Sequence, residues 1–215
     1  MTIRKALVLA GLILGICGRP APMGSQSLLQ PETLKEQAPA KYHVKFDTTK
    51  GPFVVEVTRA WGPLGADRFY NLLKNGFYTD ASFYRVIPNA VAQFGISANP
   101  QLSMVWTEAK IPDDPVTQSN ERGTLAFANF GKDTRTTQVF INLRDNTQLD
   151  KKRFPPFGKV VEGMKVVDKL YGGYGDEPPG GRGPSQTRII NEGKAYLDQE
   201  FPKLDTIKSA TLEPQ

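Results

Sequence analysis

Apolar and polar residues alternate from residue 82 to residue 96, and this pattern predicts two short strands joined by a tight turn at Pro88-Asn89. In the second strand the alternation places three apolar side chains on one face, namely Ala92, Phe94 and Ile96. We expect that face to be buried in a core. Arg85 in the first strand and Gln93 in the second then lie where another molecule can reach them.

A second alternating stretch predicts a strand with Val139 and Ile141 facing the core. Phe140 lies on the opposite face between Gln138 and Asn142, although a large aromatic side chain is unusual between two amides on a solvated surface. The neighbouring strands thus carry an arginine, two glutamines, an asparagine and a phenylalanine. This set of side chains predicts a shallow site for an uncharged, amide-rich ligand.

Turn residues and periodicity place the other elements along the chain. Predicted strands cover residues 42–49, 53–58, 126–129, 157–161 and 207–212. Predicted helices cover residues 63–75, 164–171 and 192–201. Residues 97–122 are predicted to form an irregular loop, and the Gly- and Pro-rich residues 172–183 a mobile surface insertion. This order predicts a mainly β fold, a closed antiparallel barrel with two main helices and a short extra C-terminal helix.

The first residues follow a targeting pattern, because Arg4 and Lys5 precede an apolar run over residues 6–17. The run is too short to cross a bilayer comfortably and is typical of a secretory signal peptide. We therefore expect an exported protein, in the periplasm, the cell envelope or the medium. A lipoprotein modified at Cys17 is the second interpretation, and an uncleaved N-terminal membrane anchor is the third.

Composition divides the chain into three parts. Residues 1–27 contain the predicted signal peptide or anchor, residues 28–41 predict a linker, and residues 42–215 predict one folded domain. Five of the 27 basic residues but only two of the 22 acidic residues lie in residues 1–41. The domain is therefore close to neutral and lacks the basic surface of a nucleic-acid-binding protein.

Cys17 is the only cysteine in the sequence and His43 the only histidine. The single cysteine excludes a disulfide within the chain, and the two counts argue strongly against a metal site built from His and Cys and against catalysis by a Ser-His-Asp or Cys-His arrangement. We expect no metal, no cofactor and no nucleic acid as a ligand. His43 begins the first predicted strand and is interpreted as a surface residue.

Several motifs, in order along the chain, resemble those of the cyclophilin family of peptidyl-prolyl cis-trans isomerases. They are FYRVIP at residues 83–88 followed by Gln93 and Gly95, GTLAFAN at residues 123–129, TTQVFI at residues 136–141 and FGKVVEGM at residues 157–164. The resemblance extends from Tyr42 to Leu212. It implies a closed eight-stranded antiparallel barrel capped by two helices.

The resemblance also implies an isomerase that accelerates rotation about X-Pro peptide bonds and thereby assists protein folding. The uncatalysed barrier is about 18–20 kcal/mol, because the C–N bond has partial double-bond character. No covalent bond is made or broken, so the reaction needs no nucleophile, metal or cofactor. The implied partners are X-Pro-containing polypeptides, and the implied protein is a monomer.

The resemblance assigns catalysis to Arg85, whose guanidinium would donate to the prolyl nitrogen as that atom becomes pyramidal. It implies that substrate binds against Gln93, Val91, Ala90, Ala128, Asn129, Phe130, Gln138, Phe140, Leu149 and Phe154. Among these, Gln93 would orient the substrate and the arginine, and Phe140 would form the floor of the proline pocket. Asn129 would pair with the extended peptide through its backbone.

Four positions depart from the family's pattern. Ala90 stands where the family usually has a pocket phenylalanine, Phe154 where it has a histidine, Tyr84 where it often has a histidine, and Leu149 nearest to the tryptophan with which many members bind cyclosporin. We expect Phe154 or Phe130 to refill the space at Ala90. The alternative functions are a chaperone that binds Pro-containing segments with little turnover, and a scaffold that presents its long loops to a partner.

Overall fold

The computed structural model describes residues 27–214, so the predicted signal sequence, apart from Ser27, lies outside the described residues. Eight strands are found in this part of the chain: β1 Lys41–Thr48, β2 Gly51–Thr58, β3 Arg85–Ile87, β4 Val91–Phe94, β5 Thr124–Phe127, β6 Val139–Asn142, β7 Pro156–Glu162 and β8 Ile207–Leu212. Five α-helices accompany them: α1 Pro63–Lys74, α2 Pro100–Thr107, α3 Met164–Val167, α4 Gln186–Glu192 and α5 Lys194–Glu200.

The strands form one antiparallel sheet in the order β3-β4-β6-β5-β7-β2-β1-β8. Along β1, buried residues alternate with more exposed ones, as expected for a strand with one face on the core. The central strands β5 and β6 are buried along their whole length, because other parts of the chain cover both of their faces. The predicted mainly β architecture with eight strands is therefore confirmed.

The sheet is curled, so that its two edge strands, β3 and β8, approach each other. A backbone bridge joins Ser82 to Thr206, and the Phe83 N–H donates to the Asp205 carbonyl at 2.9 Å. The continuous strand pairing nevertheless ends at β3 on one side and at β8 on the other. The architecture is thus an eight-stranded half-barrel, and the closure of the barrel that the sequence predicts is not confirmed.

Aromatic rings fill the inside of the curled sheet. Phe46 of β1 stacks on Phe53 of β2 with ring centroids 4.8 Å apart, and Phe94 of β4 meets Phe46 edge-on at 5.7 Å. Helix α1 contributes Phe69, which is fully buried and packs against Phe157 of β7 at 5.1 Å. This core holds β4 in place, and the opposite face of that strand carries Gln93 of the predicted site.

Helix α2 lies within the stretch that the sequence predicts as an irregular loop. Asn99 caps the helix, since its side-chain oxygen accepts a hydrogen bond from the Gln101 N–H at 2.9 Å. Pro100 occupies the first turn, where a missing N–H costs nothing. Both signals are local and could have been found in the sequence.

The C-terminal helices also differ from the prediction of one helix over residues 192–201. Gly193 has a φ of +65°, and a Cβ at this position would lie 2.4 Å from the Ala98 carbonyl oxygen. The chain therefore bends at this glycine, between α4 and α5. Helix α3 ends at Val167 rather than at residue 171.

The predicted linker covers residues 28–41, but β1 already begins at Lys41, and residues 28–40 lie against the domain instead of extending from it. Leu28 is 3% exposed, and its carbonyl accepts a hydrogen bond from the Trp106 indole at 2.8 Å. The Asp67 carboxylate of α1 accepts another from the Ala38 N–H at 2.9 Å. The packed structure therefore begins before β1. Within residues 27–214, no helix combines the length and the apolar character needed to span a bilayer.

Candidate active site

One groove collects nearly all of the predicted site residues. It has a volume of about 530 Å³ and opens beside β3, β4 and β6. Ten predicted residues line it: Arg85, Ala90, Val91, Gln93, Ala128, Asn129, Phe130, Phe140, Leu149 and Phe154. Gln138, the remaining one, does not line the groove but accepts a hydrogen bond from Gln93, which does. A larger cavity of about 680 Å³, between the N-terminal segment and helices α1 and α2, is lined by other residues.

Strand register brings three central side chains together. Arg85 of β3 pairs with Gln93 of β4, and Gln93 pairs in turn with Phe140 of β6. Paired residues point to the same face of a sheet, so a cation, an amide and an aromatic ring form one row across three strands. The Arg85 Nη1 donates a hydrogen bond to Gln93 Oε1 at 3.1 Å.

A buried hydrogen-bond network fixes the orientation of the Gln93 amide. Its Nε2 donates to the Tyr84 hydroxyl at 2.7 Å and to Gln138 Oε1 at 3.0 Å, while the Tyr84 hydroxyl donates to the same Gln138 oxygen. Because both amide hydrogens are engaged, Gln93 presents its oxygen to Arg85. Burial raises the pKa of Tyr84 far above its usual value, so its hydroxyl remains a donor.

Two aromatic rings form the apolar floor of the groove. Phe140 is 5% exposed and meets Phe154 edge-on, with ring centroids 5.5 Å apart. Phe130 is 85% exposed and lies at the rim. Phe154 and Phe130 are the two residues that the sequence offers to refill the space at Ala90. Of these two, Phe154 is therefore the one that packs against Phe140.

Asn129 lies at the edge of the groove just beyond β5. Its side chain donates a hydrogen bond to the Arg153 carbonyl at 3.2 Å, which holds the residue in place. Its backbone N–H and carbonyl form no hydrogen bond within residues 27–214. An extended peptide can pair with such free backbone groups as an added strand.

The guanidinium of Arg85 is held on another edge by Asp176, which belongs to the glycine loop, residues 172–183. The Arg85 Nε donates to Asp176 Oδ1 at 2.7 Å and Nη2 donates to Oδ2 at 2.9 Å, which makes a bidentate ion pair. The hydrogen bonds from Arg85 lower the pKa of the Asp176 carboxyl, and the same bonds raise the pKa of the guanidinium. Both groups are therefore charged across the neutral range.

The glycine loop is packed beside the groove, whereas the sequence predicts a mobile surface insertion. Gly175 forms an antiparallel bridge with Val86 of β3. The Gly183 N–H donates to the Asp176 carbonyl at 2.7 Å, and a Cβ on Gly181 would lie 2.3 Å from that oxygen. Side chains at these positions would prevent the chain from folding this tightly around Asp176.

Comparison with known proteins gives the family. Residues 43–193 match the family model of "Cyclophilin type peptidyl-prolyl cis-trans isomerase/CLD". The chain belongs to the cyclophilin family. A peptidyl-prolyl cis-trans isomerase of Acinetobacter baylyi is 36% identical over 143 residues, which are 64% of this chain and 76% of that protein. Peptidyl-prolyl cis-trans isomerase A of Dickeya dadantii is 32% identical over 139 residues, or 60% of this chain and 70% of that protein. This cyclophilin is therefore a peptidyl-prolyl cis-trans isomerase.

Solved cyclophilins share the fold of this chain. A cyclophilin type peptidyl-prolyl cis-trans isomerase from Cryptosporidium parvum aligns with 81% of this chain and 99% of its own, with a TM-score of 0.59 at 17% sequence identity. The structure of that protein in the presence of the dipeptide Ala-Pro aligns over 80% of this chain with a TM-score of 0.58. At such identities the likeness establishes the fold alone.

This cyclophilin also contains groove residues that sequence reasoning did not single out. They are Ile87, Arg144, Asn146, Gln148, Lys152, Asp176 and Gln186. Alternation places Ile87 on the same strand face as Arg85, but the prediction did not assign it to the site. No local pattern points to Asp176, because its partner Arg85 is 91 residues away in the chain. Within residues 27–214, no group of three His, Cys, Asp or Glu side chains is arranged to hold a metal ion.

Proposed function

We propose that this cyclophilin isomerises X-Pro bonds in extended polypeptide segments bound along the groove, with Arg85 as the catalytic residue. The observation that carries this proposal is the row of Arg85, Gln93 and Phe140 on three paired strands. The first and last strands of the row are about 10 Å apart. The long arginine side chain can bridge part of that distance. A proline ring on Phe140 therefore has its preceding amide bond within reach of the guanidinium.

Rotation about the X-Pro bond requires the loss of amide resonance, which is the source of the barrier. As the bond twists, the prolyl nitrogen becomes pyramidal and its localised lone pair becomes a better hydrogen-bond acceptor. An Arg85 N–H that is not engaged by Gln93 or Asp176 donates to this lone pair. The interaction is stronger in the twisted state than in either planar isomer, and this difference lowers the barrier.

The other groove residues bind the peptide around the rotating bond. Phe140 and Phe154 receive the pyrrolidine ring, because they form the apolar floor. The free backbone groups of Asn129 pair with the extended chain. Gln93 keeps the Arg85 guanidinium in place through its side-chain oxygen. The remaining lining residues form the walls: Ala90, Val91, Ala128, Phe130 and Leu149.

A protease-coupled isomerisation assay on Ala-Pro peptides tests this mechanism. Arg85→Ala should lower kcat/KM by at least about tenfold, which corresponds to about 1.4 kcal/mol of transition-state stabilisation. Arg122→Ala is a matched control, because Arg122 also pairs with an aspartate, Asp168, but lies outside the groove. Unchanged turnover in a folded Arg85→Ala protein would remove Arg85 from the mechanism.

A second candidate function is the binding of Pro-containing segments with little turnover. Ala90 favours it, because an alanine offers a proline ring less apolar contact than the phenylalanine of the family's pattern. Titration of an Ala-Pro peptide against the wild type and Arg85→Ala distinguishes the two functions. The binding function requires that both proteins bind the peptide and that neither accelerates its isomerisation.

We infer in addition that the protein is exported and assists the folding of Pro-containing chains outside the cytoplasm. The support is the sequence of Arg4 and Lys5 followed by the apolar residues 6–17. Slow X-Pro isomerisation limits the folding of many chains, so an exported isomerase has substrates in that compartment.

A further inference from the structure

The Asp176 carboxylate binds the guanidinium that carries the proposed catalysis, although the reaction itself uses no carboxylate. Arg85 is 26% exposed and Asp176 is 34% exposed, so the pair is partly shielded from water. Such a bidentate pair fixes the plane of a guanidinium as well as its position. Asp176 is thus placed to control the direction in which the free N–H groups of Arg85 point.

The hydrogen bonds of Arg85 leave part of its donor set free for a substrate. A guanidinium has five N–H donors. Asp176 accepts from Nε and Nη2, and Gln93 accepts from Nη1. Each Nη therefore keeps one hydrogen that is not used by these partners. Contacts on two sides prevent the guanidinium from rotating, while donors remain available for the prolyl nitrogen.

The glycine loop holds Asp176 in a fixed position. The Gly175 bridge ties the loop to Val86, which is the neighbour of Arg85 in β3. The Asp176 side chain also accepts the Glu177 N–H at 2.8 Å, and its carbonyl accepts the Gly183 N–H. The carboxylate is therefore anchored independently of the arginine that it binds.

We propose that Asp176 is a positioning residue for Arg85, and that the glycine loop serves this cyclophilin by holding Asp176 against the arginine. The proposal rests on the catalytic role proposed for Arg85. An arginine without a fixed partner samples many rotamers, and ordering it during the reaction would cost free energy. By ordering the guanidinium before substrate arrives, Asp176 lowers the barrier to rotation without contributing to substrate affinity.

Separate measurement of kcat and KM, by NMR exchange between the cis and trans peptide, tests the proposal. Asp176→Asn keeps the shape of the side chain and removes its charge. We expect kcat to fall about tenfold and KM to stay within about twofold of the wild type. Asp168→Asn is the matched control, since Asp168 binds Arg122 through both carboxylate oxygens at a similar exposure of 40%. The control should leave both constants unchanged.

A double-mutant cycle shows whether Asp176 acts through Arg85. A lysine has no planar fork to be held, so in the Arg85→Lys background Asp176→Asn should change kcat by less than about twofold. A further tenfold loss in that background would show that Asp176 acts by another route. A normal kcat in Asp176→Asn alone would overturn the proposal. A raised kcat would overturn it too, because the ion pair would then hold Arg85 in a position that slows the reaction.

The failure of this inference is distinguishable from the failure of the proposed function. Low turnover in Arg85→Ala together with normal turnover in Asp176→Asn would remove only Asp176. Normal turnover in Arg85→Ala would remove both. Should Asp176→Asn fail to fold, the wild type provides a second measurement. Its Arg85 Nε–H resonance should exchange slowly with water, and rapid exchange would overturn the proposed ion pair.

Discussion

Ala90 lies in the tight turn that leads into β4, and its backbone is fixed on both sides. Its carbonyl accepts hydrogen bonds from the Leu143 N–H and the Asn146 side chain, each at 2.9 Å. With the backbone held, a short side chain at this position leaves the floor of the groove to Phe140 and Phe154. At the scale of single residues, we therefore expect Phe154 to supply part of the contact that the family's pattern assigns to position 90.

Phe154→Ala should raise KM for Ala-Pro peptides about tenfold, because about 1–2 kcal/mol of apolar contact with the proline ring is lost. Ala90→Phe in the Phe154→Ala background should recover much of this loss, since it returns a ring to the groove. The peptide assay with a melting curve for each variant provides the measurement. Ala90→Phe alone should bring no gain, and higher efficiency with unchanged stability in that single variant would contradict the role of Phe154.

The N-terminal segment, residues 28–40, behaves as an element of the folded domain. Leu28 and Ala38 are buried, and α1 and α2 supply hydrogen-bond partners to the backbone on both sides of the segment. Segments of this composition are usually flexible when they bury nothing. Here the buried side chains of Leu28 and Ala38 and the hydrogen bond from the Trp106 indole hold the segment on the domain.

Leu28→Ala should destabilise the protein by about 2 kcal/mol, because truncating a buried leucine loses apolar contact and leaves a cavity. Leu29→Ala is the matched control, since the neighbouring leucine is 42% exposed and should contribute little. Urea unfolding of residues 27–214 and both variants measures the difference. Equal stability of the two variants would show that the segment is not packed in solution.

At the scale of the whole molecule, two carboxylates connect distant parts of the chain and titrate below their usual range. Hydrogen bonds from Arg85 lower the pKa of Asp176. Burial raises the pKa of Asp150, but hydrogen bonds from Ser119 and Asn120 outweigh burial and lower it overall. Each carboxylate therefore stabilises the fold in its charged form, and protonation removes this stabilisation.

The melting temperature should stay nearly constant from about pH 8 to pH 5 and fall below about pH 4, the ordinary aspartate range. In that lower range the unfolded chain binds protons that the folded protein excludes, so stability is lost as the pH falls. Thermal melts across this range provide the measurement, and Asp150→Asn should reduce the slope. A melting temperature that rises between pH 5 and pH 3 would contradict the sign of both shifts.

The N-terminal targeting pattern makes a prediction about the mature chain. Protein purified from its native host should lack residues 6–16, because signal peptidase removes such apolar runs after export. Intact-mass spectrometry decides the point. A full-length mass would indicate an N-terminal membrane anchor, and a lipid-sized addition on Cys17 would indicate a lipoprotein.

Alternation with a period of two predicted which strand face carries Arg85, Gln93 and Phe140. A short turn fixes β3 beside β4, but the tertiary structure decided that β4 pairs with β6, because α2 and β5 lie between these two strands along the chain. The same local signals predicted the β-rich fold, whereas most of the groove lining was implied by the resemblance to the cyclophilin family. The helix cap at Asn99 was also present in the sequence, but the prolines around it were interpreted as a loop.

Only the tertiary structure decided the partner of Arg85, the packing of residues 28–40 and the orientation of Gln93. Asp176 reaches Arg85 because the glycine loop folds back onto β3, and no pattern near residue 176 encodes a contact 91 residues away. The Gln93 amide is oriented by Tyr84 and by Gln138, which directly precedes β6. Contacts of this kind depend on the simultaneous packing of distant segments, whereas propensity and periodicity report only on neighbours in the chain.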